Sequence, residues 1–158
     1  MILRNFAFIA GLTGVMFFTA CSKDEKTVDT EYPVIDLSAA DAFPKQCSEL
    51  KRGETFTFKA LLKDNVRLGS FSVDIHHNFD HHSHSTEVSN CMMDPVKVPV
   101  NPLLYIKSIP VPEGASNYNA SVQIPIPADI DPGDYHFMIL LTDAEGWQTI
   151  RGLSIKIK

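Results

Sequence analysis

The chain has 158 residues, 44% hydrophobic and 21% charged, which is the balance of an ordinary globular domain rather than of a disordered chain. Its 19 acidic and 14 basic residues give a formal charge of −5, and −6 once a leader carrying Arg4 is removed. That balance argues against a nucleic-acid partner, since phosphate binding needs a positive face, and it matches an anionic bilayer surface poorly.

Membrane contact is expected instead at the N-terminus. Arg4 and the terminal amine make a short positive region, followed by an apolar or small stretch over 6–18 broken only by Thr13. This length suits the core of a signal peptide and falls short of the about 20 residues that span hydrocarbon as a helix. The stretch ends in Phe18-Thr19-Ala20-Cys21, which resembles the lipobox of bacterial lipoproteins, although leucine is commoner where Phe18 stands. The resemblance implies cleavage before Cys21 and acylation of its thiol, with two or more chains giving a stable anchor. An ordinary buried apolar segment is the alternative.

Residues 22–31 (SKDEKTVDTE) contain one apolar side chain and should form a solvated tether. The Ser-Lys-Asp-Glu after the cysteine resembles the acidic export signal of surface-exposed lipoproteins in Bacteroidota, though a plain tether would look much the same. The expected organisation is a leader over 1–20, a lipidated cysteine and tether over 21–31, and one folded domain over 32–158. The expected place is the cell envelope, anchored by lipid to the outer membrane and facing outward.

From Tyr32 onward the hydrophobic pattern has period two. Phe56, Phe58, Ala60 and Leu62 share one face of a first run; Phe71, Val73 and Ile75 do so in a second. Ala120, Val122, Ile124 and Ile126 mark a third, Tyr135, Phe137, Ile139 and Leu141 a fourth, and Leu153, Ile155 and Ile157 a fifth. Each predicts a strand with one buried face, and no stretch keeps a helical period for three turns. Pro95, Pro99, Pro102, Pro110 and Pro112 crowd the middle of the chain, where edge strands and loops tolerate them. Asp131-Pro132-Gly133-Asp134-Tyr135 has the D-x-G-x-Y spacing that introduces strand F of immunoglobulin domains, where the tyrosine hydroxyl bonds back to the corner. The expected fold is an all-β, immunoglobulin-like sandwich of about seven strands. Asp129, Asp131 and Asp134 can be read as calcium ligands or, more simply, as corner and turn residues.

Besides Cys21 there are two cysteines, Cys47 and Cys91. In an oxidising envelope a disulfide between them is the favoured reading. The competing one takes Cys91 with Met92 and Met93 as soft ligands for copper.

The histidines depart furthest from background. His76, His77, His81, His82 and His84 fall within nine residues, where 6 histidines in 158 predict about a third of one. Imidazole is the common ligand for Zn²⁺ and suits Cu²⁺ as well. If strands C and F are antiparallel neighbours, His76 and His136 share the outward parity and form a cross-strand pair over which the loop can fold. Asp80 and Glu87 are candidates for an extra ligand or for carboxylates that orient the rings. A solvated polar loop and a pH-responsive or ligand-contacting loop are the alternatives, and His77 has the inward parity of a core-rim residue.

No G-x-S-x-G, H-E-x-x-H, P-loop or Rossmann glycine pattern is present, so nothing in the sequence calls for an enzyme. A catalytic zinc would need an open coordination position and a base, for which Asp80 or Glu87 could be proposed. The stronger rival to metal binding is an adhesion, glycan- or protein-binding module with structural histidines, for which Trp147, Tyr105 and Tyr118 offer scattered aromatic surface. The chain resembles the lipoprotein family of domain of unknown function 4625 in IHHNFDHHSHSTE (75–87), GDYHF (133–137) and LTDAEGW (141–147). The resemblance implies a lipid-anchored, immunoglobulin-like envelope protein and no particular activity. An outer-membrane receptor or another envelope protein is the expected macromolecular partner, and Zn or Cu the expected cofactor.

Overall fold

A computed structural model describes residues 28–84 and 91–158. The expected alternation produces strands β3 (Thr55–Lys63), β4 (Leu68–His77), β6 (Asn117–Pro125), β7 (Gly133–Asp143) and β8 (Gln148–Ile157). Three further strands have no period long enough to read: β1 (Val34–Asp36), β2 (Ser48–Leu50) and the edge strand β5 (Tyr105–Pro110) in the proline-rich stretch. They bring the total among the described residues to eight, against the seven or so expected.

The strands form two sheets, ordered β1-β3-β6 and β2-β8-β7-β4-β5. All neighbours are antiparallel except β2, which runs parallel to β8. This is an immunoglobulin-like arrangement: β3 and β6 stand as B and E, and β4, β7 and β8 as C, F and G. The inner faces meet in one core, with Phe58 and Leu62 from one sheet against Phe71, Val73, Ile75, Phe137, Ile139 and Leu141 from the other. Phe58 joins the layers, its ring 5.6 Å from Phe137 and 6.0 Å from Phe71.

The corner before β7 has the expected geometry. The Tyr135 hydroxyl donates to the Asp131 carbonyl at 2.6 Å and accepts from the Leu103 amide at 3.2 Å. Burial raises the phenol's pKa, which keeps that proton in place. Asp131 accepts from the amides of Val100 and Asn101, Asp134 accepts from the Asp94 amide, and the Asp129 carbonyl accepts from Asn101. The three aspartates therefore secure the corner and the long β4–β5 connection.

That connection covers the start of β7, whose first five residues are all buried, the outward-facing ones included. Lys97 donates its amide to the Phe79 carbonyl at 3.0 Å and lays its ammonium 4.2 Å from the Phe79 ring centre. A Cβ on Gly133 would come within 2.9 Å of Phe79, and its φ of 138° also demands glycine. Lys156 holds Asp94 at 2.7 Å and Asp134 at 3.4 Å. Cys47 and Cys91 are joined by a disulfide, which ties the far end of the histidine segment to the turn before β2. With its sulfur so bound, Cys91 has no thiolate to offer copper.

Candidate metal centre

The register of β4 and β7 places His76 directly opposite His136. Both side chains point away from the core, onto the outer face of the five-stranded sheet. His136 is nevertheless fully buried, because the chain leaving β4 turns back and lays His82 and His84 over it. The turn is fixed by the Asn78 amide on the Asp134 carbonyl at 2.8 Å, by buried Phe79, and by His81 in the left-handed region, φ 59°.

The four rings form a tight cluster. His136 lies 4.4 Å from His84, 4.7 Å from His82 and 5.2 Å from His76, centre to centre. His76 and His82 stack nearly parallel at 5.7 Å. One ring nitrogen from each of His76, His82, His84 and His136 lies within 4.8 Å of the others, so the group can hold a metal ion. Two nitrogens bound tetrahedrally at 2.0–2.1 Å from an ion stand about 3.3 Å apart. The Nε2 atoms of His76 and His84 are already 3.1 Å apart.

Two carboxylates set the ring orientations. Asp74 Oδ1 meets His76 Nδ1 at 2.8 Å, and Asp80 Oδ1 meets His82 Nδ1 at 2.6 Å. A carboxylate only accepts, so each Nδ1 carries a proton, and in the neutral ring the lone pair is then on Nε2. This is the carboxylate–histidine relay common behind metal ligands. The His82 contact holds the Asp80 carboxyl below its ordinary range, so it stays ionised at neutral pH. His136 Nε2 faces the His82 carbonyl at 3.2 Å, which adds a direct link between strand and loop.

The two remaining histidines stand outside the cluster. His81 is exposed and turns its Nε2 to the Asp94 carbonyl at 2.9 Å. His77 packs against Phe79, ring centres 5.0 Å apart, with its Nδ1 buried and lacking a hydrogen-bond partner. Its inward parity separates it from the outward pair. Asp80, considered as an extra ligand or an orienting carboxylate, stands against His82 Nδ1; Glu87 and Cys21 lie outside the described residues. Asp74 is the residue that sequence reasoning missed. Its signal was available, because D-x-H places both side chains on one face of a strand, and Asp80-x-His82 repeats the spacing.

A shallow groove beside the cluster is lined by Ser72, Asp74, His76, His84, Ile106 and Met138 among others. The aromatic residues considered for sugar stacking do not gather there. Tyr118 is on the other sheet, packed toward Phe71, and Trp147 is in the β7–β8 turn against Tyr32.

Among solved structures, one described as "GspB Siglec domain" is similar at 21% identity and a TM-score of 0.43, over 82% of this chain. The chain spans 59% of the length of that structure. No curated protein matches the chain. The family described as Domain of unknown function (DUF4625) matches over residues 19–158. The chain belongs to that family, the DUF4625 domain family, whose description carries no activity.

Proposed function

We propose that this protein binds Zn²⁺ or Cu²⁺ through His76, His82, His84 and His136, as a lipid-anchored protein of the cell envelope that captures or delivers the metal or uses it to close a loop. One observation carries the reading: a cross-strand histidine pair is capped by two loop histidines, and carboxylates fix the tautomer of one member of each pair. A solvated loop would have no reason to bury His136 completely beneath two further imidazoles. Four nitrogen donors suit a tetrahedral zinc or a tetragonal copper, and they fill the ligand set of a closed site. Binding and holding are thus favoured over catalysis at an open coordination position. The location rests on the leader and on Cys21 in its lipobox-like setting.

The test is elemental analysis and metal titration of the protein purified with a non-histidine tag. The expected result is about one equivalent of zinc or copper bound at sub-micromolar affinity, and its loss in His76→Ala and His82→Ala variants that keep the wild-type circular dichroism. Absence of saturable binding by either metal overturns the proposal and leaves the adhesion or glycan-binding reading.

A further inference from the structure

The other end of the sandwich carries a second group of ligating side chains with different chemistry. β4 begins at Leu68, paired with Asp143 at the end of β7. This is about 25 Å along the strand from the His76–His136 pair. Here Asp29, which precedes β1, meets Asp143 and Glu145 of the β7–β8 turn, one carboxylate oxygen of each lying within 4.8 Å of the others.

Acidic side chains often gather without an ion, but these two aspartates are buried. Asp29 is 5% exposed and Asp143 3%. In each, one oxygen is fully used. Asp143 Oδ1 accepts from the amides of Glu145, Gly146 and Trp147 at 2.6–2.9 Å. Asp29 Oδ1 accepts from the Glu31 amide at 3.0 Å and the Asn65 side-chain amide at 2.9 Å. The Oδ2 atom of each is buried with no hydrogen-bond partner. An unpaired buried carboxylate oxygen is costly, and neighbouring ionised carboxylates add mutual repulsion. No cationic side chain among the described residues pairs with either aspartate. Arg67 reaches only Glu145, at 3.9 Å, beyond hydrogen-bonding distance.

We propose that Asp29, Asp143 and Glu145 bind Ca²⁺, and that the ion fastens the segment preceding β1 to the β7–β8 turn. The donor set is all oxygen with no imidazole or sulfur, which selects a hard cation. The free Oδ2 atoms are the inner ligands, and the exposed Glu145 closes the site from the solvent side. Ca²⁺ accepts variable coordination and fills its remaining positions with water, whereas Mg²⁺ demands a near-ideal octahedron. The surroundings already hold the same two segments together: the Trp147 indole donates to the Asp29 carbonyl at 3.0 Å, and Tyr32 packs edge-on at 5.0 Å from the Trp147 ring. An ion here would therefore fix how the tether leaves the domain.

Trp147 is the chain's single tryptophan and so reports on this site directly. The test is titration of the chelator-stripped protein with CaCl₂, followed by Trp147 emission and by calorimetry, with MgCl₂ as the comparison. The expected result is saturable Ca²⁺ binding with a Kd of about 10⁻⁴–10⁻³ M, the range of extracellular modules, and weaker binding of Mg²⁺. Asp143 also caps the turn, so the informative variants are Glu145→Gln and Asp29→Asn, which keep the backbone contacts. Each should weaken Ca²⁺ at least tenfold while zinc uptake by the histidines is unchanged. No saturable response to 10 mM Ca²⁺, or unchanged affinity in both variants, overturns the proposal.

Discussion

At the scale of single residues, the distinction that matters is between histidines that are near a site and histidines that are aimed at it. His76 and His82 each have a carboxylate on Nδ1 at 2.6–2.8 Å, which in the neutral ring leaves Nε2 as the nitrogen that can bind an ion. His76 Nε2 stands 3.1 Å from His84 Nε2. Replacing Asp74 with Ala removes the acceptor that fixes the His76 tautomer and lowers the ring's basicity. Zinc affinity should fall about 10- to 100-fold with little change in folding, as measured by competition with a chromogenic chelator. An unchanged affinity would mean that Asp74 only decorates the strand. Protons compete with metal for imidazole, so uptake should also weaken on acidification.

At the scale of elements, the corner before β7 and the β4–β5 connection act together, and charge is what fastens them. The amides of Val100 and Asn101, donating to Asp131, hold its carboxyl below the ordinary carboxylate range, with Lys97 and Arg52 adding to the effect. A carboxyl whose folded pKa is depressed contributes stability that is present above its unfolded pKa, near about 4, and is lost as pH falls through the folded value. Urea midpoints measured from pH 6 down to pH 2 should therefore drop for the wild type. They should drop less steeply for Asp131→Asn, which is already less stable at pH 6. Parallel curves would show that Asp131 has no part in acid sensitivity. The strand periods were legible in the sequence for β3, β4, β6, β7 and β8, where a buried face repeats along most of each strand. They were not legible for β1 and β2, three residues each, which are too short to show a period.

At the scale of the whole molecule, one covalent link bears on the histidine cluster. The Cys47–Cys91 disulfide closes a 44-residue separation and anchors the chain shortly after His84. In the chain-entropy view a loop of that length stabilises by about 4 kcal/mol, an upper figure. The double variant Cys47→Ser, Cys91→Ser should lose up to that amount in urea unfolding. It should also bind zinc more weakly, because His82 and His84 must then be ordered from a looser segment. Equal zinc affinity in the double variant would show that Phe79 and the Asp94 contacts hold the loop unaided.

The sequence by itself determined the all-β sandwich, the tyrosine corner, the outward parity shared by His76 and His136, and the concentration of histidines between them. These are local properties, since period two assigns each side chain to a face and D-x-G-x-Y names a corner. Only the tertiary structure decided that His82 and His84 complete the cluster while His77 and His81 do not. It also brought Asp29 across to Asp143 and Glu145 over more than a hundred residues of sequence. The reason is physical: a strand's facing is fixed by its own alternation, whereas a loop's path is fixed by what it lands on. Here it lands on the start of β7, where Phe79, Asp94 and Lys97 dock against Gly133, Asp134 and Pro132 through contacts that have no periodic signature.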